Sequence, residues 1–149
     1  MGKNTIIVID DEAEFREVTV ELSKQTLPDD WELIAPKTLD KAMEAVHERL
    51  VGIVFIDRNI SGDGYQGLKE DGKEYQRVSG ISIAAWLKDT LPKARRIAFS
   101  KGLLGCHQFG ERVDEIFPYK PDLIDKGDKG EKGRKTFQEF LLRQIELVG

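Results

Sequence analysis

Side chains that could carry out chemistry stand directly after several apolar runs of this sequence. Two aspartates follow IIVI, one follows IVFI, a serine follows IAF, and a lysine follows LID; these are Asp10, Asp11, Asp57, Ser100 and Lys126. Carboxylates that are crowded together repel one another unless a cation lies between them, and their oxygens suit a hard cation such as Mg²⁺. A lysine and a hydroxyl opposite that cation would neutralise and hydrogen-bond a phosphoryl group. The pattern therefore predicts a phosphoryl site, provided that the fold brings these positions together.

The apolar runs themselves predict short strands that alternate with helices. Helical stripes such as Phe15, Val18 and Leu22 separate the runs. Strict alternation predicts a doubly wound α/β fold, with a five-stranded parallel sheet covered by helices on both faces. The carboxyl ends of parallel strands share one edge of the sheet, so the polar positions should converge there. The expected strands are Thr5–Ile9, Trp31–Ala35, Val51–Ile56, Arg96–Phe99 and, more weakly marked, Leu123–Asp125.

Three other segments have less regular patterns. Residues 61–80 are polar and contain five of the 14 glycines, which indicates an inserted loop, either a partner-specific flap anchored by Tyr65 and Tyr75 or a plain surface loop. Residues 104–116 indicate a helix that two glycines interrupt. Residues 126–135 are expected to form a polar loop before a last helix that begins near Thr136.

Composition narrows the class of protein. The 149 residues fit one domain spanning residues 1–149, and 23 basic against 27 acidic residues give a net charge of −4. This balance gives no electrostatic reason to bind nucleic acid or a membrane surface. The single cysteine, Cys106, cannot form an internal disulfide, so a cytoplasmic location is expected.

The polar positions and the runs before them resemble the receiver domains of two-component response regulators. The matching segments are IIVIDDE, IVFID, RRIAFS and LIDK, in this order. The resemblance implies a flavodoxin-like fold with sheet order 2-1-3-4-5. It also implies that Asp57 is the phosphoacceptor, and that Mg²⁺ is bound by Asp11 and Asp57 directly, by Asp10 mainly through water, and by the main-chain carbonyl of Asn59.

The same resemblance implies roles for the remaining residues and for partners. Lys126 would pair with a phosphoryl oxygen, and Ser100 would bond the phosphoryl group and move inward after phosphorylation. The phosphodonor would be a sensor histidine kinase or a histidine phosphotransfer protein. The chain is expected to be a stand-alone response regulator that signals to a downstream protein through contacts.

Some positions depart from the receiver pattern. With Lys126 as the site lysine, Leu123 stands at a position that is often aromatic, and Gly127 replaces a common proline; Ser61 replaces another. Lys101 follows Ser100 at a position where receiver domains usually have a small residue. We expect Lys101 to alter the lifetime of the phosphoryl group.

A rival for the site lysine is Lys120, which is followed by Pro121 and puts Phe117 at the aromatic position. The strand before Lys120 would include Pro118, which has no backbone N–H to donate to the hydrogen bonds of a sheet. The sequence therefore favours Lys126.

Two functions other than phosphoacceptance also involve an aspartate after an apolar strand or a receiver-like fold. A phosphatase of the haloacid-dehalogenase type needs a second aspartate two residues after the nucleophile, and Asn59 stands there, so a turnover enzyme is not expected. A receiver-like interaction module that is not phosphorylated remains the alternative, because the departures could signal a repurposed site.

Overall fold

The structure is a computed structural model that describes residues 2–60, 69–70, 73–74 and 78–148. Along the chain the strands are β1 (Asn4–Ile9), β2 (Trp31–Ile34), β3 (Leu50–Ile56), β4 (Asn59–Ile60), β5 (Lys69–Glu70), β6 (Lys73–Glu74), β7 (Val78–Ser79), β8 (Arg95–Phe99) and β9 (Glu115–Phe117). The helices are α1 (Ala13–Thr26), α2 (Leu39–Glu48), α3 (Gly80–Thr90), α4 (Gly102–His107) and α5 (Asp128–Val148), with 3₁₀ turns at Gly110–Arg112 and Lys120–Ile124.

Five strands form one parallel sheet in the order β2-β1-β3-β8-β9, which is the expected order 2-1-3-4-5. Successive side chains of a strand point to opposite faces, and both faces of this sheet are covered. Ile7 and Ile9 of β1 pack under α2 and α3, whereas Ile6 and Val8 pack under α1 and α5. The continuous apolar run is therefore a strand buried on both sides, and the predicted doubly wound fold is confirmed.

The fifth strand lies earlier in the chain than the sequence predicts. Leu123–Asp125 was expected to be that strand, but Lys120–Ile124 forms a 3₁₀ turn, and the edge strand is β9, which pairs with β8. Pro118 does not interrupt β9, because it follows the last residue of that strand. The helix expected over residues 104–116 is likewise shorter: α4 ends at His107, and a 3₁₀ turn and β9 fill the rest.

The last helix begins earlier than its capping pattern indicated. Residues from Asp128 onward are helical, so most of the expected loop at 126–135 belongs to α5. Thr136 lies inside the helix, where its hydroxyl donates to the carbonyl of Lys132. Two glycines allow the first turns to lie close to the preceding segment: a Cβ at Gly130 would be 1.7 Å from the carbonyl oxygen of Asp125, and one at Gly133 would be 2.6 Å from Cβ of Asp122.

Most of the proposed insertion at 61–80, including Tyr65 and Tyr75, lies outside the described residues. Its described parts are β5 and β6, which pair with each other, β7, which pairs with β4 just before the segment, and Gly80, which begins α3. The ladder between β4 and β7 joins the chain just after β3 to the chain just before α3. None of the described helices is both long and apolar enough to cross a membrane.

Candidate functional site

Three of the residues named from the sequence meet at the carboxyl edge of the sheet. Asp10 follows β1, Asp57 follows β3 and Ser100 follows β8, and these strands are neighbours. All three side chains are buried, Asp10 completely. A buried carboxylate needs a compensating partner, because removal from water penalises its charged form.

That partner is Lys120. Its Nζ lies 2.7 Å from Oδ2 of Asp10 and 3.2 Å from Oδ2 of Asp57, and the lysine is itself buried. Lys126, which the sequence favoured, is exposed and lines a groove between α1 and the segment before α5. The placement of Lys126 at the carboxylates is therefore wrong, and the rival residue occupies that position.

The backbone after β9 brings Lys120 to the site. The amide of Gly102 donates to the carbonyl of Pro118 at 3.0 Å, and Lys101 and Tyr119 form an antiparallel bridge. The chain is thus held alongside the end of β8 for two residues beyond β9. The 3₁₀ turn then begins at Lys120, with Pro121 in its first turn, where the missing amide hydrogen costs no bond.

Aromatic rings line the side of the site lysine. Nζ of Lys120 lies 4.2 Å from the ring centroid of Phe15 in α1 and 5.7 Å from that of Phe99 in β8. A ring face attracts a cation, more strongly when both are shielded from water. These contacts leave the ammonium group directed at the two aspartates.

Burial dominates the electrostatics of the pair of aspartates. It raises the pKa of Asp57 to about 7 although Lys120 opposes the shift, and the nearby charge of Asp10 adds to the rise. Burial also raises the pKa of Asp10, again against the effect of Lys120. For Lys120, burial alone would lower the pKa, but the two carboxylates outweigh it and the pKa is raised. One lysine therefore offsets only part of the negative charge that the site collects.

The carboxylates of this site also fit a hard divalent cation. Carboxylate oxygens from Asp10, Asp11, Glu12 and Asp57 all lie within 4.8 Å of one another. Oxygen ligands of this kind, with water completing the shell, are those that Mg²⁺ takes in proteins. Asp10 is further fixed by the backbone amide of Glu12, which donates to its Oδ1 at 2.9 Å. Glu12 was not among the expected ligands, although it follows Asp11 directly in the sequence.

The main chain of Asn59 lies in the ladder between β4 and β7, opposite Ser79. The preceding pair, Arg58 and Gly80, is hydrogen-bonded, with the Gly80 amide donating to the Arg58 carbonyl at 2.9 Å. Hydrogen-bonded and non-hydrogen-bonded pairs alternate in an antiparallel ladder, so the Asn59 carbonyl points away from β7. This carbonyl is therefore not used by the ladder, as a ligand role requires.

The positions around Lys120 differ from those expected around Lys126. Phe117 stands three residues before Lys120 and is buried, so an aromatic residue occupies the position to which Leu123 had been assigned. Pro121, rather than Gly127, follows the lysine. Lys101 is exposed, and Ser61 lies outside the described residues.

Solved structures resemble this architecture over nearly the whole chain. NtrX from Brucella abortus matches 98% of the chain with a TM-score of 0.64 at 18% identity, although the match spans 28% of the NtrX chain. The BeF3-activated receiver domain of DrrB from Thermotoga maritima matches 97% of this chain and 98% of its own, with a TM-score of 0.59 and 16% identity. A CheY-like receiver domain protein from Methanospirillum hungatei matches 97% and 98%, with a TM-score of 0.57 and 13% identity.

The chain has the receiver fold. No protein-family model matches the sequence, and no curated protein matches it either. Three of the four short segments that carried the resemblance, IIVIDDE, IVFID and RRIAFS, end at the site as expected, whereas LIDK does not. The sequence favoured Lys126 over Lys120 because β9, the strand before Lys120, has only three residues and is followed by a proline, whereas LID resembles the end of a strand. The Lys-Pro pair was the signal that pointed to Lys120.

Proposed function

We propose that this protein is a response regulator that accepts a phosphoryl group on Asp57 in a Mg²⁺-dependent reaction. The phosphodonor is a sensor histidine kinase or a histidine phosphotransfer protein in the cytoplasm. The protein catalyses only its own phosphorylation and dephosphorylation, and it signals to a downstream protein through contacts.

One observation carries this proposal: Lys120 is paired with both Asp10 and Asp57 beside a cluster of carboxylate oxygens within 4.8 Å of one another. A lone aspartate after a strand is common, but a buried pair that shares a buried lysine is costly to maintain. The arrangement supports a site in which Asp57 is the nucleophile, Lys120 the cation and the neighbouring carboxylates the metal ligands. Transfer of a phosphoryl group needs these three components.

The reaction follows from the positions of these side chains. One carboxylate oxygen of Asp57 attacks the phosphorus of a phosphohistidine, a P–O bond forms, and the P–N bond breaks. The imidazole leaves with the electron pair of that bond and takes up a proton. A bound Mg²⁺ would supply positive charge to the phosphoryl oxygens. Lys120 would pair with one of those oxygens, and the Ser100 hydroxyl would donate to another.

Ser100 would also report the reaction. Gly105 in α4 lies next to it, since a Cβ at Gly105 would be 3.4 Å from the Ser100 oxygen. Movement of the hydroxyl toward the phosphoryl group would change the contacts of α4 and β9, and a partner would read that change.

The decisive experiment is incubation with Mg²⁺ and acetyl phosphate, followed by intact-mass measurement. We expect an adduct of one phosphoryl group that is absent from Asp57→Asn and from samples treated with a chelator. The control is Asp29→Asn, at an exposed position, which should form the adduct normally. Absence of both the adduct and Mg²⁺ binding in the wild type would instead support an interaction module that is not phosphorylated.

A further inference from the structure

The chain that returns from the inserted segment touches the backbone of the phosphoacceptor itself. Gly80, the first residue of α3, is buried against Asp57 and Arg58. A Cβ at this position would lie 1.8 Å from the carbonyl oxygen of Asp57 and 3.0 Å from Cα of Arg58. These are backbone atoms that cannot swing aside, so the close approach requires glycine.

Two further contacts hold this approach in place. The Gly80 amide donates to the Arg58 carbonyl, and Val78 pairs with Ile60 in the same ladder. Ile60 is buried in the core under α2 and α3, while the hydroxyl of Ser79 accepts from the amide of Ile81 and caps α3. The segment between Asp57 and Ile60 is therefore bound along its length by β7 and the start of α3.

The alternation of pairs in this ladder decides which carbonyls are used. The Arg58 carbonyl accepts from the Gly80 amide, and the alternation of pairs then implies that the Ile60 pair is hydrogen-bonded and the Asn59 pair is not. If β4 were rotated so that Asn59, rather than Arg58 and Ile60, formed the hydrogen-bonded pair, the Asn59 carbonyl would point toward β7. The register that Gly80 permits is therefore the one that leaves this carbonyl available.

We propose that Gly80 and β7 are positioning elements for the metal site, holding the backbone from Asp57 to Asn59 in the register that presents the Asn59 carbonyl to Mg²⁺. This inference rests on the proposed function and deepens it. The inserted segment thereby contributes to the site through its return strand. Residues that orient metal ligands commonly change metal affinity by roughly 10- to 100-fold when they are altered.

The test compares Mg²⁺ affinity with stability in the full chain. Isothermal titration calorimetry gives the Mg²⁺ dissociation constant, and thermal unfolding in a chelator gives the stability of the metal-free protein. Gly80→Ala is matched by Gly130→Ala, where a Cβ would lie 1.7 Å from the Asp125 carbonyl oxygen and creates a similar clash at the start of α5. Val78→Pro is a second variant, because proline removes the amide that pairs with Ile60.

We expect Gly80→Ala and Val78→Pro to weaken Mg²⁺ binding roughly tenfold or more. Gly130→Ala should lower the unfolding midpoint and keep the wild-type affinity. Raising the Mg²⁺ concentration should restore most of the acetyl phosphate adduct to Gly80→Ala. If Gly80→Ala does not fold, Val78→Pro decides the question.

Three results would overturn the inference: wild-type affinity in folded Gly80→Ala, wild-type affinity in Val78→Pro, or an equal loss in Gly130→Ala. If the wild type forms the phosphoryl adduct and Asp57→Asn does not, these results leave the proposed function intact. A wild type that neither binds Mg²⁺ nor accepts a phosphoryl group overturns the proposed function and this inference together.

Discussion

At the scale of single residues, the site is a balance between one buried cation and two buried anions. Lys120 contacts both Asp10 and Asp57, yet burial still raises the pKa of each aspartate. Removal of one member of such a group leaves an uncompensated charge, which costs more than the pair contributes. Substitution of Lys120 should therefore destabilise the folded protein. Substitutions that remove negative charge from the site should reduce the repulsion between its carboxylates.

Lys120 and Lys126 can be distinguished by substitution. We expect Lys120→Ala to slow formation of the acetyl phosphate adduct by about 100-fold, because a positive charge aimed at the transferring group is lost. Lys126→Ala should react like the wild type, since its side chain is exposed and lies away from the carboxylates. Intact-mass time courses at saturating Mg²⁺ measure both rates. Equal slowing of the two variants would contradict the placement described above.

Asp57 makes the metal-free protein less stable as the pH rises. Its pKa is about 7 in the folded protein and near 3.8 without burial, so the folded state binds more protons between these values. The free energy of unfolding should therefore fall as the pH rises from about 4 to about 7. In Asp57→Asn this fall should be shallower, with Asp10 accounting for what remains. Urea unfolding at several pH values in a chelator measures it.

The exposed-site variant Asp29→Asn is the control for that pH dependence and should follow the wild type. An Asp57→Asn curve that parallels the wild type would show that Asp57 is not the group responsible.

At the scale of elements, apolar pattern predicted most of the fold. β1 and β3 were found because Ile6–Ile9 and Ile53–Ile56 are buried on both faces of the sheet, which makes these residues apolar. β9 was missed because it is a three-residue edge strand, with a glutamate at its start and a proline after its end. The first turns of α5 were missed because their glycines resemble a loop, although they permit close approach to residues 122–125. Contacts distant in the sequence decide such segments, and a local pattern does not contain them.

The elements that carry the site share one aromatic cluster beneath it. Phe55 lies in β3 two residues before Asp57, Phe99 ends β8 directly before Ser100, and Phe117 ends β9. All three rings contact Phe137 of α5, with centroids 5.4–6.0 Å apart. The relative positions of the three strand ends thus depend on how α5 packs on the sheet.

Truncation of Phe137 should therefore be costly. The side chain is completely buried, so we expect Phe137→Ala to lower the free energy of unfolding by about 3–5 kcal/mol. Leu147→Ala removes an exposed side chain of the same helix, 55% accessible, and should cost less than about 0.5 kcal/mol. Urea unfolding measures both variants. Similar losses would mean that α5 does not hold the strands through this ring.

At the scale of the whole molecule, the net charge of −4 is distributed unevenly. Four acidic residues, Asp10, Asp11, Glu12 and Asp57, are concentrated at one edge of the sheet. Because Lys120 offsets only part of this charge, folding leaves an unfavourable concentration of negative charge there. A bound cation would compensate for it, so metal binding and global stability should be linked.

Mg²⁺ should accordingly stabilise the folded chain. At a free concentration 100 times the dissociation constant, a ligand specific for the folded state adds about 2.7 kcal/mol. For a chain of this size this corresponds to a rise in the unfolding midpoint of roughly 5–10 °C. The rise should be larger at pH 8 than at pH 5, because carboxylates must lose their protons before they bind a metal. Thermal unfolding with and without Mg²⁺ at matched ionic strength measures it, and Asp10→Asn should lose most of the effect. An equal rise in Asp10→Asn would show that the ion stabilises the protein elsewhere.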